Sequence, residues 1–539
     1  MASGQPAGDL GLGPECLRLE GGIARGTIAQ GVLALEGIPF AAPPIGARRF
    51  RPPAPPQPWE GVLDASAHRT ICPQIHDEIE VYPPAAGPVT TLVDGAPFVT
   101  YQDEDCLYLN IWRPADSRRD LPIMVFIPGG GFIVGGASAG MYSGAALAAF
   151  GVIVVTLNYR IGPFGFLELG SLDPSLKGSG NNGLRDQIAA IGWVRRNAEA
   201  LGGDAENLTV MGESAGAISI AALLSTRSPE TLFRRAILQS GGSNLVHTRA
   251  VQMRNAERFI QAGPLRSAAD LRSAPVLDLL LQVRASAANS GTFAPYIDGE
   301  LVTGSLIGAL ASGACRSIDI LAGANAEEMA YWSMYDGRLR NPFLEDTDLG
   351  PKAPLIPARA LAAVNQALAP ATLDRRYAEV LGTGAQCEIE RARNDDYVFV
   401  QPMTRIAELQ AKAGGRAFLY RFDWRVPKPF LDPDLPDLGA MHALELPFVF
   451  GTLHFEWAPG GSALAQARRP QERDLSRQMM SAWTNFAKAG DPNGQGAPAW
   501  PAYDPSSRMT MIWAETSAAV ADPDGARREI WEGFAFEPA

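Results

Sequence analysis

Short apolar runs that alternate with segments of helical spacing constrain the fold of this chain more than any other feature. The run GVIVVTLNYR (151–160) is almost continuously apolar and rich in β-branched residues, as in a strand buried on both faces of a parallel sheet. Residues 181–203 follow it with apolar side chains at helical spacing, at Leu184, Ile188, Ile191 and Val194. Further strands are indicated at 207–212, 234–241 and 317–325. This alternation predicts an α/β fold with a large, mostly parallel central sheet and helices on both faces.

The same patterns predict how the chain is organised. The 539 residues are expected to form one domain over 1–539, because large α/β folds often exceed the usual domain size. The first third is predicted to be rich in β hairpins, as in the alternating, glycine-punctuated stretch at 21–40. Residues 333–435 are less regular and rich in helix formers, so we expect a helical insertion that covers one end of the sheet.

The motif Gly-Glu-Ser-Ala-Gly at 212–216 lies between a predicted strand and a predicted helix. A strand, a sharp turn with the pattern G-x-S-x-G and a helix together form a nucleophile elbow, in which small residues must flank the serine. The alternative is that Ser214 only caps the helix. The flanking elements favour a nucleophile, and a serine hydroxyl needs a base to become one.

The five histidines are the candidates for that base. In α/β-hydrolases the serine comes first along the chain, then the acid and then the histidine. This order excludes His68 and His76, and His247 leaves almost no room for an acid after the serine. His442 lies in a loop before an apolar segment and is favoured over His454, which lies in a predicted surface loop.

The other parts of such a site are also present in the sequence. Glu327 and Glu328 follow a predicted strand and a short loop, and spacing alone does not separate these two candidates for the acid. Three consecutive glycines at 129–131 follow another strand and would point backbone N–H groups at one spot. Together with the N–H of Ala215, they could stabilise the oxyanion of a tetrahedral intermediate.

Composition and charge exclude several classes of function. The formal net charge of −12 would repel a phosphate backbone, so we expect no nucleic-acid partner. No segment approaches the roughly 18 uninterrupted apolar residues of a membrane helix, so we expect no membrane span. The first residues show neither the basic nor the apolar region of a signal peptide. The chain is therefore expected to be cytoplasmic as written, or secreted or periplasmic if a leader has been removed.

The five cysteines form no C-x-x-C pair, and none lies near histidines at metal-ligand spacing. We therefore expect neither a metal ion nor another cofactor. The cysteines are either isolated buried thiols or, in the case of Cys72 and Cys106, partners in a disulfide that would require an oxidising compartment.

Several dispersed motifs resemble the type-B carboxylesterases, the family that includes the cholinesterases. The resemblance extends over about residues 20 to 515 and implies an α/β-hydrolase fold. The motifs are GIPFAAPPIGARRFRPP (37–53), EDCLYLNIW (104–112), GGGF (129–132), NYRIGPFGFL (158–167), GESAG (212–216), ILQSG (237–241), PYIDGE (295–300) and HALELPFVFG (442–451).

The resemblance also implies a role for each part of the site. Ser214 would be the nucleophile, Glu328 the acid and His442 the base. Where relatives carry a glycine directly after the acid, this chain carries Met329. The donors of the oxyanion hole would be the backbone N–H groups of Gly130, Gly131 and Ala215.

Residues next to the triad follow from the same resemblance. Glu213 would be a buried carboxylate beside the serine, and Ser240 of the ILQSG motif would support the triad. Cys72 and Cys106 match a disulfide of the family. Three aromatic residues could line the substrate site, although such residues are more often part of a core; they are Phe132, Trp332 and Phe399.

These predictions describe a serine carboxylic-ester hydrolase that forms an acyl-enzyme with a small-molecule ester, as a monomer or weak homodimer. The stretch between Cys72 and Cys106 has no tryptophan, which disfavours choline esters, and small residues at 289–292 indicate a broad or bulky acyl group. The alternative is an amide or carbamate hydrolase with the same machinery. A non-catalytic adhesion domain, as in some relatives, is disfavoured because all parts of the triad are retained.

Overall fold

In the part of the chain that the structure describes, a mixed sheet of eleven strands forms the centre of the molecule. The computed structural model describes residues 13–76, 80–81, 89–93, 96–286, 292–333, 370–425, 439–453, 470–534 and 536–538. In chain order, the strands of the sheet are β1 (Thr27–Ala29), β2 (Val32–Pro39), β3 (Tyr108–Pro114), β4 (Leu121–Ile127), β5 (Ile153–Leu157), β6 (Gly203–Glu213), β7 (Arg235–Gln239), β8 (Asp319–Asn325), β9 (Ala417–Phe422), β10 (Met509–Trp513) and β11 (Ala518–Ala521).

The strands lie across the sheet in the order β11-β10-β9-β8-β7-β6-β4-β5-β3-β2-β1. All neighbouring pairs from β10 to β5 in this order are parallel. The pairs beyond them, which are β11-β10 at one edge and β5-β3, β3-β2 and β2-β1 at the other, are antiparallel. The predicted mostly parallel sheet is therefore confirmed. Strands β5 and β6 lie on opposite sides of β4, so the strand order reverses at β4. At the end of the β4–β6 pair, Ile127 is paired with Gly212. The carboxyl ends of β4 and β6 thus lie side by side, where open α/β sheets bind their ligands.

Both faces of the sheet are apolar, because successive side chains of a strand point to opposite faces. In β4, Ile123 and Val125 belong to one buried cluster, whereas Met124 and Phe126 belong to a second cluster. All four are fully buried. The continuous apolar runs of the sequence are explained by this double burial.

Helices cover the two faces of the sheet. The predicted helix at 181–203 is α1 (Asn182–Leu201), and Gly202 ends it with a left-handed φ of 75°. The helix after the serine is α2 (Ala215–Leu224). Two later helices are α3 (Gln401–Lys412) and α4 (Pro470–Ala489). The other described helices are Ala145–Ala148, Gly162–Phe166, Arg249–Gln261, Ala268–Ser273, Val276–Ala285, Leu306–Ala311, Ala330–Ser333, Pro370–Leu381, Gln386–Asp395, Leu446–Phe450 and Gly525–Ile530.

Shorter elements fill in the connections. Single 3₁₀ turns are formed by Gly46–Arg48, Gly140–Tyr142, Pro174–Leu176, Ser179–Asn181, Pro229–Thr231 and Ser243–Leu245. Among the described residues, no helix combines the length and the apolar composition needed to cross a membrane.

The first third contains the predicted β hairpins. Cys16–Leu19, Gly22–Arg25 and Val62–Asp64 form a three-stranded sheet. Two-stranded hairpins pair Ile75–His76 with Glu80–Val81, and Val89–Val93 with Ala96–Thr100.

The disulfide expected between Cys72 and Cys106 is not present in the structure. Both residues are buried and carry free thiols. The two thiols are hydrogen-bonded to each other, and together with burial this contact raises the pKa of Cys106 well above its usual range. The resemblance located the pair correctly, but not its covalent bond.

The region predicted as a helical insertion, 333–435, contains both helices and a strand among its described residues. The helices lie between 370 and 412, and residues 334–369 and 426–438 lie outside the described part of the chain. The prediction missed β9, which pairs in parallel with β8 and β10 in the centre of the sheet. Residues Ala417–Phe422 therefore belong to the central sheet.

Candidate active site

Ser214 lies in a sharp turn between β6 and α2. Its backbone has φ 53° and ψ −121°, a conformation that a residue with a side chain rarely adopts. A Cβ at Gly216 would collide with the carbonyl oxygen of Ile127 in the adjacent strand β4. The glycine therefore allows the helix to start against the sheet, and the turn holds the serine at the carboxyl end of β6, as the elbow motif predicts.

His442 and Glu328 are in direct contact in the interior. The imidazole Nδ1 lies 2.5 Å from Oε2 of Glu328, and the two residues are 5% and 0% exposed. The other carboxylate oxygen, Oε1, accepts hydrogen bonds of 2.5 Å from Ser240 Oγ and 2.7 Å from the N–H of Asn325. Of the two candidate glutamates, Glu328 therefore contacts the histidine.

Glu327 points to a different partner. Its Oε2 accepts a hydrogen bond of 2.7 Å from the N–H of Ala440, and its own N–H donates to the carbonyl of Ala440 at 3.0 Å. Its Oε1 also pairs with Arg425. Because Ala440 lies two residues before His442, Glu327 holds the histidine loop against the loop that carries Glu328.

The second nitrogen of His442 faces another buried carboxylate. Nε2 lies 3.0 Å from Oε1 of Glu213, the residue directly before Ser214. Burial raises the pKa of Glu213 to about 8, although the charge of His442 opposes this. Burial alone would lower the pKa of His442, but the charges of Glu213 and Glu328 outweigh it and raise this pKa to about 9.

Two aromatic rings enclose the imidazole. The ring of Phe399 lies 4.8 Å from that of His442, and the ring of Tyr331 lies 6.2 Å from it in an edge-on arrangement. Phe399 is only 4% exposed. The histidine is therefore positioned by apolar contacts as well as by its two carboxylate partners.

Backbone donors lie next to the serine. Gly130 and Gly131 have φ values of 109° and 59°, which favour glycine. A side chain at Gly129 would come within 3.2 Å of Ser214 Cβ, so the glycine run passes beside the serine. Within the described ranges, the N–H groups of Gly130, Gly131 and Ala215 have no acceptor. They are available to a ligand oxygen.

A further carboxylate, Glu445, was not singled out from the sequence. It is fully buried and accepts hydrogen bonds of 2.9 Å from Gln239 Nε2 and 2.7 Å from Asn325 Nδ2. Burial raises its pKa to about 7. Its position three residues after His442, within the motif HALELPFVFG, was the available signal.

The other predicted site residues have different outcomes. Phe132 is 1% exposed and packs edge-on against Phe166 at 4.9 Å, so it lies in the core rather than on an open substrate surface. The backbone of Trp332 belongs to the helix Ala330–Ser333, and its side chain lies outside the described part, as does His454. Within the described part, no group of three or more His, Cys, Asp or Glu residues could hold a metal ion.

Comparison with known proteins decides the family. The sequence model of the carboxylesterase family matches residues 14–528. The chain belongs to the carboxylesterase family. It is 36% identical over 518 residues to the para-nitrobenzyl esterase of Bacillus subtilis (strain 168), which covers 94% of this chain and 96% of that protein. This carboxylesterase is accordingly a serine ester hydrolase, and the family predicted from the sequence is confirmed.

Solved structures agree with this assignment. A structure of PNB esterase superimposes with a TM-score of 0.79 at 35% identity, covering 96% of this chain and 99% of the other. The carboxylesterase Est55 of Geobacillus stearothermophilus gives the same score and identity, with 96% of this chain and 100% of the other covered. The α/β-hydrolase fold is therefore confirmed for this carboxylesterase.

Proposed function

We propose that this carboxylesterase hydrolyses its ester through a covalent acyl-enzyme on Ser214, with His442 as the base and Glu328 as the acid of the triad. The observation that carries the proposal is the buried contact of 2.5 Å between His442 Nδ1 and Glu328 Oε2. The other ring nitrogen of the same imidazole, Nε2, lies 3.0 Å from Oε1 of Glu213, the residue directly before Ser214.

In this mechanism the hydroxyl of Ser214 attacks the ester carbonyl while neutral His442 takes its proton at Nε2. Glu328 holds the imidazole in the productive tautomer and stabilises the imidazolium that forms. The negative charge on the carbonyl oxygen is stabilised by the backbone N–H groups of Gly130, Gly131 and Ala215. The imidazolium then protonates the leaving alcohol, and the same residue activates the water that releases the acid.

The remaining features are proposed from the sequence. We infer one catalytic domain over residues 1–539 and a monomer or weak homodimer without a nucleic-acid partner. Small residues at 289–292 support a broad or bulky acyl group. Rates on a matched ester and amide would measure how far the machinery extends to amides, whose amine is harder to expel.

The nucleophile is tested with Ser214→Ala. Since the variant has no group to form the acyl-enzyme, we expect kcat on a p-nitrophenyl ester to fall by at least about a thousandfold. A fluorophosphonate probe, read out by mass spectrometry, should label wild type once, on Ser214. Ser225→Ala is the matched control, because among the described residues its hydroxyl donates to the helix carbonyl of Ala221 and to no other group. An adduct on another residue, or full activity of Ser214→Ala, would contradict the proposal.

The acid is tested in the same assay with two isosteric variants. Glu328→Gln should lower kcat by about ten thousandfold, because the imidazole loses its charged partner. Glu327→Gln keeps an oxygen for the Ala440 N–H and should stay within about tenfold of wild type. Equal losses in both variants would mean that the acid has been misassigned.

A further inference from the structure

A buried aspartate from a neighbouring helix holds the backbone beside the proposed acid. Asp395 is the last residue of the helix Gln386–Asp395 and is 2% exposed. Its Oδ1 accepts a hydrogen bond of 2.7 Å from the N–H of Met329, the residue directly after Glu328. The two residues are 66 positions apart, so this bond joins two separate parts of the chain.

This hydrogen bond holds the backbone directly after Glu328, whereas the other described contacts hold the carboxylate of Glu328. Ser240 and the N–H of Asn325 hold the carboxylate of Glu328 itself. Met329 is 7% exposed, and without Asp395 its N–H would be buried with no acceptor. An unpaired buried donor costs about 1–3 kcal/mol, which the loop would relieve by moving.

The element that carries Asp395 is itself firmly anchored. The helix continues into a π-helical turn, Asp396–Val400, of a kind that is frequent at functional sites. Arg527 donates hydrogen bonds of 2.8 Å to both carboxylate oxygens of Asp396. The two adjacent aspartates therefore have different partners: Asp396 pairs with the helix Gly525–Ile530, and Asp395 binds the loop that carries Glu328 and Met329.

The same π-helical turn also reaches the base. Phe399 belongs to it and contacts the ring of His442 at 4.8 Å. Residues 395–399 therefore contact the base directly, through the ring of Phe399, and the residue next to the acid, through the hydrogen bond from the N–H of Met329.

We propose that Asp395 is a positioning residue for the acid Glu328, which it holds in line with His442 through the N–H of Met329. The inference rests on the proposed function of Glu328. Misplacing a catalytic group by about 1 Å can cost about a hundredfold in rate, so the loss of this bond acts on kcat and not on substrate binding.

The test compares three variants by steady-state kinetics on a p-nitrophenyl ester, with active sites counted by fluorophosphonate labelling. Asp395→Ala should lower kcat by about tenfold to a hundredfold, with KM within about twofold of wild type. Asp395→Asn keeps an acceptor oxygen and should recover kcat to within about threefold. Asp319→Asn, at the amino end of β8 and away from the site, is the matched control: it should lower the melting temperature, because Arg416 loses its charged partner, but leave kcat unchanged.

A double-mutant cycle separates positioning from a general structural role. In the Glu328→Gln background, Asp395→Ala should cause no further loss of kcat, because the group that it positions is already inactive. If Asp395→Ala does not fold, Asp395→Leu takes its place, since leucine fills the space but cannot accept a hydrogen bond. A wild-type kcat in Asp395→Ala, an equal loss in Asp395→Asn, or an additive loss in the cycle would overturn the inference. Activity retained in Glu328→Gln itself would instead overturn the proposed triad.

Discussion

His442 lies between two carboxylates, and this arrangement determines the pH dependence of the site. Its Nδ1 contacts Glu328 and its Nε2 contacts Glu213, so both neighbours stabilise the imidazolium. A base must be neutral to accept the proton of the serine. Both Glu328 and Glu213 therefore raise the pH at which His442 becomes the neutral, active base.

Glu213→Gln tests this balance. The amide stays neutral at high pH, so one of the three carboxylate charges that raise the pKa of His442 to about 9 is removed. The histidine should then lose its proton at lower pH, and the acidic limb of kcat/KM should move to lower pH. The profile is measured on a neutral ester from about pH 5 to about pH 9.5. Glu206→Gln, at an exposed ion pair with Arg195, is the control that should leave it unchanged. A shift to higher pH would contradict the assigned charges.

At the scale of residues, sequence reasoning is most specific where a motif is local. Ser214 lies in a five-residue pattern, and chain order then favoured His442 among five histidines. It could not locate Asp395, because an aspartate at a helix end is a common surface residue until a distant backbone N–H is known to meet it. For Phe132, an aromatic residue after a glycine run fits a core as well as a substrate site, and the sequence alone does not separate the two.

The nucleophile elbow depends on the close approach of two elements. The carboxyl end of β4 lies against the first turn of α2, and Gly216 leaves no room for a side chain between them. The strain of the turn is concentrated in Ser214, the residue that must project from the sheet. The energy to hold this conformation comes from the packed helix and strand on either side.

Gly216→Ala should destabilise the protein, because its Cβ would meet the backbone of β4 rather than a movable side chain. We expect a loss of about 1–3 kcal/mol in the free energy of unfolding, measured by chemical denaturation. Gly192→Ala in α1 is the opposite case, since its Cβ would meet only the tip of Arg196 at 3.4 Å. That variant should gain about 0.5–1 kcal/mol through helix propensity. Two changes of the same sign would contradict the packing argument.

The sequence patterns also identified most elements, but not all of them. Long periodic segments such as α1 were recognised with their capping glycine. Strand β9 was missed because AFLYRF is a short apolar run between helices, and a run of this length is as compatible with a buried helix as with a strand. The π-helical turn at Asp396–Val400 has no signal in side-chain periodicity, because one extra residue per turn is set by packing.

The molecule as a whole buries several carboxyl groups that retain protons when folded. Burial raises the pKa of Glu213 and Asp395 to about 8, and that of Glu445 to about 7. The same groups ionise near pH 4.5 or below when the chain is unfolded. The folded state therefore binds more protons than the unfolded state in this range, so these groups lower the stability as the pH rises.

Glu445→Gln should remove its share of this dependence. The contribution of Glu445 is fully present below about pH 4.5 and is lost as the pH rises through about 7. As the pH rises from about 5 to about 8.5, the free energy of unfolding of the variant should therefore increase relative to that of wild type, by on the order of 2–3 kcal/mol. Thermal unfolding at both pH values measures the difference, whatever the variant costs at the lower pH. Parallel behaviour of the two proteins would show that Glu445 titrates normally.

The neighbouring free thiols of Cys72 and Cys106 can report local opening of the folded protein without an introduced label. Cys72 and Cys106 are 2% and 0% exposed, so an alkylating reagent reaches them only when the surrounding structure separates. Cys387 is exposed and would react at once, which marks the start of each experiment. Pulsed alkylation followed by peptide mapping would thus record how often the structure around these two thiols opens, and labelling of buried Cys315 at the same rate would mark global unfolding instead.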